Sequence, residues 1–301
     1  MRSVGLKGGV TALGASVLFS SAAAPATYQP DHWATQLESQ LAFSRPPYVY
    51  GYELFYRSDR RGSVRFQPAR RDGAPLIIWL AGYGPGEDRD LSLEWLPSRF
   101  FEEGYAYASV SYDRPSNATY ADISGDLLMG IKRTLEEAAE KRVDTSRIIL
   151  MGAGIAGQVV ALFATDPSYF ASENLPFESI RAALIVEGNS FDLPAAIGQA
   201  SSYRRSWMRR TLGDDPAQWE RLSPVSHLAQ PNVPSFIFLN SRSRSALDAE
   251  RFAARLREAG SAVRVVAARK SLSDAPATRP GAPQHRETRQ LMTLLAAAVE
   301  R

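Results

Sequence analysis

From residue 76 onward the chain repeats one pattern: a short unbroken apolar run, a turn, then a stretch with helical period. The runs are LIIWLAG (76–82), YAYASVSYD (105–113), RIILMG (147–152), AALIVEG (182–188), PSFIFLN (234–240) and AVRVVAA (262–268). A run without polar alternation is buried on both faces, and alternating it with helices means a parallel sheet covered above and below. Residues 122–141 place Leu127, Leu128, Ile131, Leu135 and Ala138 on one helical face, with Glu and Lys opposite. Further helices fit at 155–165, 246–259 and 285–300. Upstream, YVYGYELFY and SVRFQPA flank the turn RSDRRG, which reads as a hairpin over 47–69. The fold class is therefore α/β, with a mostly parallel central sheet and helices on both faces. A segment rich in Trp, Arg and Tyr (195–229) interrupts the alternation and is predicted to sit as a small lid over the carboxyl edge, where open α/β sheets bind ligands.

The beginning of the chain follows a different logic. Arg2 and Lys7 precede a small, apolar stretch over 8–24, and Ala24-Pro25-Ala26 offers an A-x-A cleavage pattern. This reads as a signal peptide over 1–26 and an exported domain over 27–301, with no stretch apolar enough to span a bilayer permanently. Without Arg2 and Lys7, 33 basic residues face 32 acidic ones. Such a balance gives no basic field for nucleic acid. Cysteine is absent, which excludes disulfides, zinc–thiolate sites and a thiol nucleophile. The chain is 45% hydrophobic, and residues 27–301 are enough to bury one large core. The triplet NAT (117–119) is a glycosylation sequon at Asn117 if the source glycosylates secreted proteins.

The string RIILMGAGIAGQVVALFATDP (147–167) holds Gly152, Gly154 and Gly157 in the spacing GxGxxG, directly after a strand. One reading is a dinucleotide-binding turn, whose glycines let backbone amides approach a pyrophosphate at a helix N-terminus. Against it, at least two strand–helix units precede the motif, and Glu187, the nearest acid for a ribose, lies too far along. The other reading is a G-x-S-x-G-like elbow, a strained turn that raises a nucleophile over the sheet.

The second reading carries a resemblance. The helix VVALFATDP after the turn is very similar to the one that follows the elbow in the esterase/lipase branch of the α/β-hydrolase superfamily, especially exported carbohydrate-esterase and feruloyl-esterase-like members. IIWLAGYGPGEDRD stands where that family has its His-Gly-Gly oxyanion loop, GYAYASVSYD resembles the next strand, and SPVSHL (223–228) resembles the segment before the strand of the triad acid. The match runs over roughly residues 47–300 in unbroken order. It implies an ester hydrolase with a Ser-His-Asp triad and no cofactor or metal.

Carried over residue by residue, the triad is degenerate. The nucleophile position falls on Gly154, which tolerates the strained angles but has no oxygen. The acid position falls on Ser243 or Ser241, with Asp248 already in the next helix, and the base position on Leu272, flanked by Ser271 and Ser273. Ala81 replaces the oxyanion-loop His, while the amides of Gly82, Tyr83 and Gly84, with Ile155 after the elbow, are what is left of the oxyanion hole. Of the three histidines, His285 at the start of the last helix is the candidate base; His32 lies just past the leader, and His227 has a structural place in SPVSHL. Ser190 in EGNSFD reads as a turn residue. The stretch YRRSWMRR (203–210) is either a lid that stacks on a sugar or aromatic ligand or a solvated helix with one buried Trp. The expectation is a pseudo-hydrolase that binds a small ester, sugar or aromatic molecule in the former pocket. The alternatives are an active ester hydrolase with non-standard groups and a dinucleotide-dependent oxidoreductase built on GAGIAG.

Overall fold

A computed structural model of the chain describes residues 51–58, 62–80, 96–111, 118–229, 231–240, 243–267 and 286–300. These all belong to the unit Ser44–Arg301. In chain order they form β1 (Tyr52–Phe55), β2 (Ser63–Gln67), β3 (Pro75–Leu80), α1 (Leu96–Glu102), β4 (Ala106–Ser111), α2 (Tyr120–Glu140), β5 (Asp144–Ala153) and α3 (Gly154–Thr165). The second half continues with α4 (Ser168–Ser172), β6 (Ile180–Val186), α5 (Leu193–Gly198), α6 (Ser202–Leu212), α7 (Pro216–Arg221), β7 (Ser235–Asn240), α8 (Ser243–Glu258), β8 (Ala262–Ala267) and α9 (Arg286–Val299). Single 3₁₀ turns occur at Phe177–Ser179 and Pro224–His227.

The strands make one eight-stranded sheet in the order β1-β2-β4-β3-β5-β6-β7-β8. β1 pairs antiparallel with β2, and β2 with β4; every other pairing is parallel. The hairpin and the parallel core thus follow the hydrophobic patterning, and β5 lies in the interior of the sheet between β3 and β6.

Strand periodicity divides the core into two layers. Leu76, Ile78, Leu80, Ile148 and Leu150 face the side covered by α2, α3 and α8. Ile77, Trp79, Ile149 and Met151 face the side covered by Phe100 of α1 and Leu291 and Leu295 of α9. Each residue shift along a strand switches the layer, which is why these runs are apolar at every position. Helix α3 is apolar all round for a related reason: residues from Ala156 to Thr165 are all buried between the sheet and the Pro224–His227 turn. Full burial of Val159, Val160, Leu162 and Phe163 stabilises the fold by about 1.5–3 kcal/mol per side chain.

Helix α2 begins where its sequence stops it fraying. Thr119 accepts from the Asp122 amide at 3.2 Å while the Asp122 carboxylate accepts from the Thr119 amide at 2.8 Å, a reciprocal cap. Its packing depends on Gly130, where an added Cβ would lie 2.2 Å from Val110 Cγ1 on β4. At Gly125 in the same helix an added Cβ would meet nothing within 4 Å. Gly130→Ala is therefore expected to destabilise by about 1–3 kcal/mol through overpacking. Gly125→Ala should stabilise by about 0.5–1 kcal/mol. Thermal unfolding of the two variants checks both signs.

The sheet edge is tied to α2 by a buried carboxylate. The Tyr52 hydroxyl donates to Glu137, which also pairs with Arg133 at 3.0 Å and Lys141 at 3.5 Å. Burial works to raise the Glu137 carboxyl, but the Tyr52 hydroxyl and the two cations outweigh it and hold it below the usual carboxylate range. A carboxyl depressed in the folded state contributes stability that is present above its unfolded value of about 4.3 and is lost as pH falls through the folded value. Glu137→Gln should therefore lower stability at pH 7 and make it less steeply dependent on pH below about 4, as read from urea unfolding at a series of pH values.

Candidate functional site

The parallel strands deliver their carboxyl ends to one edge, and the β5–α3 turn stands in the middle of it. Ala153 is extended (φ −119°, ψ 150°) and the next residue, Gly154, has φ +56°. That single left-handed residue turns a strand directly into a helix. The glycines around it do different work. An added Cβ at Gly152 would lie 2.5 Å from the Ala156 carbonyl oxygen, and one at Gly157 would lie 3.2 Å from the Gly152 oxygen and from Ile185 of β6. At Gly154 a Cβ would meet nothing within 4 Å. Crowding requires glycine at 152, whereas at 154 the dihedral favours it and space does not.

Above Gly154 is a cavity of about 350 Å³. Gly154, Ile155 and Gln158 form one wall, Tyr120 and Asn189 flank it, and Arg204, Trp207 and Thr211 of α6 form the roof. The segment between β6 and β7 therefore does cover the carboxyl edge here. Within α6 the buried side chains are Met208 and Leu212, while Trp207 is half-buried against the cavity. Of the two readings of YRRSWMRR, the one with a single buried Trp is corrected: Met208 and Leu212 anchor α6 to the core, because they sit one turn apart on its inner face, and Trp207 lines the cavity.

Two polar networks hold the cavity's shape. Gln158, the one amide in an otherwise apolar helix stretch, accepts from the Tyr120 hydroxyl at 2.6 Å and donates to the Leu222 carbonyl at 2.8 Å. It joins α2, α3 and the chain after α7. On the other side, Arg204 donates to Asn189 Oδ1 at 2.9 Å and to Ser190 Oγ at 3.3 Å, and Ser190 donates to Asn189 at 2.8 Å. The turn that carries them after β6 is strained: Glu187 has φ +50° and Ser190 φ +64°, a region that costs a residue with a Cβ about 1–2 kcal/mol. Ser190 is a turn residue as expected, and it also lines the cavity.

Other residues singled out in the sequence lie elsewhere. Glu187 is buried and accepts from Ser245 Oγ at 2.8 Å, so its carboxylate is engaged by α8 and does not line the cavity over Gly154. His227 contacts the Arg221 carbonyl at 2.8 Å through Nε2 and faces Asp166 across 3.6 Å, fastening the Pro224–His227 turn to the far end of α3. A helix of that length puts it about 18 Å from Gly154. Ser243 opens α8 and does not belong to a loop, and Asp248 lies inside that helix. Gly82, Tyr83, Gly84, Leu272 and His285 lie outside the described residues, as do Ala81, Ser241, Ser271, Ser273, His32, Asn117 and the leader 1–26. Among the described residues no group of acids or histidines is arranged to hold a metal, and no helix is long and apolar enough to cross a membrane.

Gln158 belongs to no motif singled out in the sequence, and Asn189 and Arg204 lie inside stretches, EGNSFD and YRRSWMRR, that give no sign of their pairing. Gln158 left a signal, a buried amide at a position where every neighbour is apolar. A second buried amide, Asn240 at the carboxyl end of β7, has no hydrogen bond to either side-chain atom among the described residues.

Strand order, the antiparallel opening hairpin and the β5–α3 turn define the molecule as an α/β-hydrolase fold. The family model BD-FAE matches residues 65–245, more than half of the chain, and the chain belongs to the BD-FAE family of esterase-like α/β-hydrolases. Solved structures agree on the fold. Esterase B from Lactobacillus rhamnosis is 14% identical with a TM-score of 0.65, covering 89% of this chain and 93% of its own. The thermophilic esterase 2 from the planctomycete Thermogutta terrifontis is 18% identical with a TM-score of 0.56, covering 74% and 82%. The same esterase phosphonylated by sarin is 16% identical, with a TM-score of 0.56 over 74% and 84%. No curated protein matches the chain.

The Gln158 bridge gives a test of how the cavity is held. Gln158→Leu removes both hydrogen bonds and leaves the half-buried Leu222 carbonyl without this donor, at an expected cost of about 1–3 kcal/mol. Gln158→Glu should be worse at neutral pH, because a carboxylate would then face that carbonyl. Chemical denaturation of both variants checks the order.

Proposed function

We propose that the chain is an exported member of this family that has lost Ser-His-Asp ester hydrolysis and uses the cavity over the β5–α3 turn to bind a small ester, sugar or aromatic ligand. The observation that carries this reading is Gly154: the left-handed residue of the strand–helix turn, on the floor of a cavity, with no side-chain oxygen. Covalent acyl transfer needs a nucleophile at that point, and a glycine supplies only backbone. The elbow geometry itself suits the fold, since a left-handed φ followed by a helix N-terminus is how a nucleophile is raised over such a sheet. Support for a binding role comes from the shaped, aromatic-lined space roofed by Trp207 and fixed by the Tyr120–Gln158 and Asn189–Arg204 networks. The basic, apolar start of the sequence supports export.

The experiment is stepwise restoration, read by hydrolysis of a short-chain p-nitrophenyl ester. The native chain should turn it over near background, with any residue of activity owed to backbone amides alone. Gly154→Ser should add almost nothing, because a serine without a base is a weak nucleophile, and it should cost about 1–3 kcal/mol for holding a left-handed angle. Adding Ser243→Asp and Leu272→His should give detectable activity in a less stable protein. Robust hydrolysis by Gly154→Ser alone would overturn the reading: a working base would then already be in place, with His285 the first to examine.

A further inference from the structure

Helix α6 has an outer face that the reading above does not use. Ser202, Ser206 and Arg210 follow one another at single-turn spacing, and Arg205 and Arg209 form a second row beside them. All five residues are exposed, and with Asp214 they line a shallow groove of about 430 Å³. Arg204 is not among them; it lines the space over Gly154 on the other side of the helix.

Charge in this groove is not balanced. Arg209 pairs with Asp214 at 2.8 Å, and Asp214 is the one carboxylate that lines the groove. Arg205 donates to three carbonyl oxygens at the end of α5, those of Ile197 at 3.2 Å, Gly198 at 3.2 Å and Ala200 at 3.1 Å. These partners are neutral, and they engage its Nε and Nη2 but not its Nη1. Among the described residues Arg210 has no ion pair or hydrogen bond, and the hydroxyls of Ser202 and Ser206 have no hydrogen bond. The next acid along the chain, Asp215, caps α7 by accepting from the Ala217 amide at 3.0 Å and faces Arg221 at 3.5 Å. The groove is therefore left with two uncompensated guanidiniums and with donors on Ser202, Arg205, Ser206 and Arg210 that have nothing to bond. A phosphate monoester complements such a set: it carries a charge of about −1.5 to −2 at neutral pH and three strong acceptor oxygens. Guanidiniums favour it further, because their forked donors match its oxygens.

We propose that the outer groove of α6 holds the phosphate group of a soluble phosphate monoester. Arg205 and Arg210 neutralise its charge, and the hydroxyls of Ser202 and Ser206 donate to its oxygens. An open groove leaves the remainder of the molecule in solvent, so the site recognises the group and tolerates what bears it. It does not depend on whether the β5–α3 turn has lost its chemistry.

The probe is methyl phosphate, titrated into the full chain at pH 8 and constant ionic strength and followed by the arginine Nε–H resonances. Dimethyl phosphate, a monoanion of similar shape, is its counterpart. Methyl phosphate should saturate with a Kd on the order of 1–10 mM, and dimethyl phosphate should bind at least fivefold more weakly. Arg210→Gln should weaken methyl phosphate at least fivefold with thermal unfolding unchanged, since this exposed side chain has no bond to lose. Asp214→Asn, which removes the carboxylate of the groove and releases Arg209, should tighten binding at least twofold. Arg251→Gln, which removes the same charge from an exposed place on α8, should leave binding intact. Equal binding of dimethyl phosphate, insensitivity to Arg210→Gln, weaker binding in Asp214→Asn, or an equal loss in Arg251→Gln would each overturn the proposal. So would the absence of saturable methyl phosphate binding, including the case in which the chain sediments with phosphatidic acid vesicles and the groove serves a lipid surface instead.

Discussion

Helix α3 lies so close to β5 and β6 that the Gly152 carbonyl, the Ala156 carbonyl and Ile185 leave no room for a side chain at Gly152 and little at Gly157. This contact organises the rest. It forces the chain to reverse over a single residue, Gly154, and so sets a helix N-terminus at the carboxyl edge of the central strand. It buries α3 on every side, which explains why a helix without an amphipathic stripe is stable here. It also gives Gln158 a fixed place from which one side chain can bond both Tyr120 of α2 and Leu222 after α7. The cavity wall is thus a consequence of helix–sheet packing, and Gln158 within it is oriented by hydrogen bonds inside the protein.

The opposite wall is built on different principles. It comes from the segment between β6 and β7, whose α6 is mostly solvent-exposed and touches the core through Met208 and Leu212. Its position is set by Arg204, bonded to a turn that holds two left-handed residues with side chains. Strain of this kind persists only where its surroundings over-determine it, and the stacked Phe191 and Phe252 beneath the turn supply that constraint.

Much of this was legible in the residues. Runs such as LIIWLAG and RIILMG declare strands buried on both faces, and the all-apolar QVVALFA declares the covered helix. The hairpin, the parallel core and the interior place of β5 followed from them. What was not legible was long-range. Nothing adjacent to Arg204 in the sequence announces Asn189, fifteen residues earlier, as its acceptor. The role of Glu187 was obscured for the same reason, since its partner Ser245 lies on the helix after the next strand, 58 residues along the chain. Gln158 was the exception, a lone amide among buried neighbours that has to find partners. The two readings of YRRSWMRR, a lid over the edge or a solvated helix with one buried Trp, did not use helical phase, by which Met208 and Leu212 share the inner face of α6.

The proposed loss of ester hydrolysis requires that no hydroxyl of the chain be an activated nucleophile, Gly154 standing where the elbow would carry one. Intact-mass measurement of the full chain after incubation with a fluorophosphonate tests it directly, because such reagents trap only an activated hydroxyl. The mass should be unchanged after prolonged exposure. A stoichiometric phosphonyl adduct, located by peptide mapping on any serine or threonine of the chain, would contradict it.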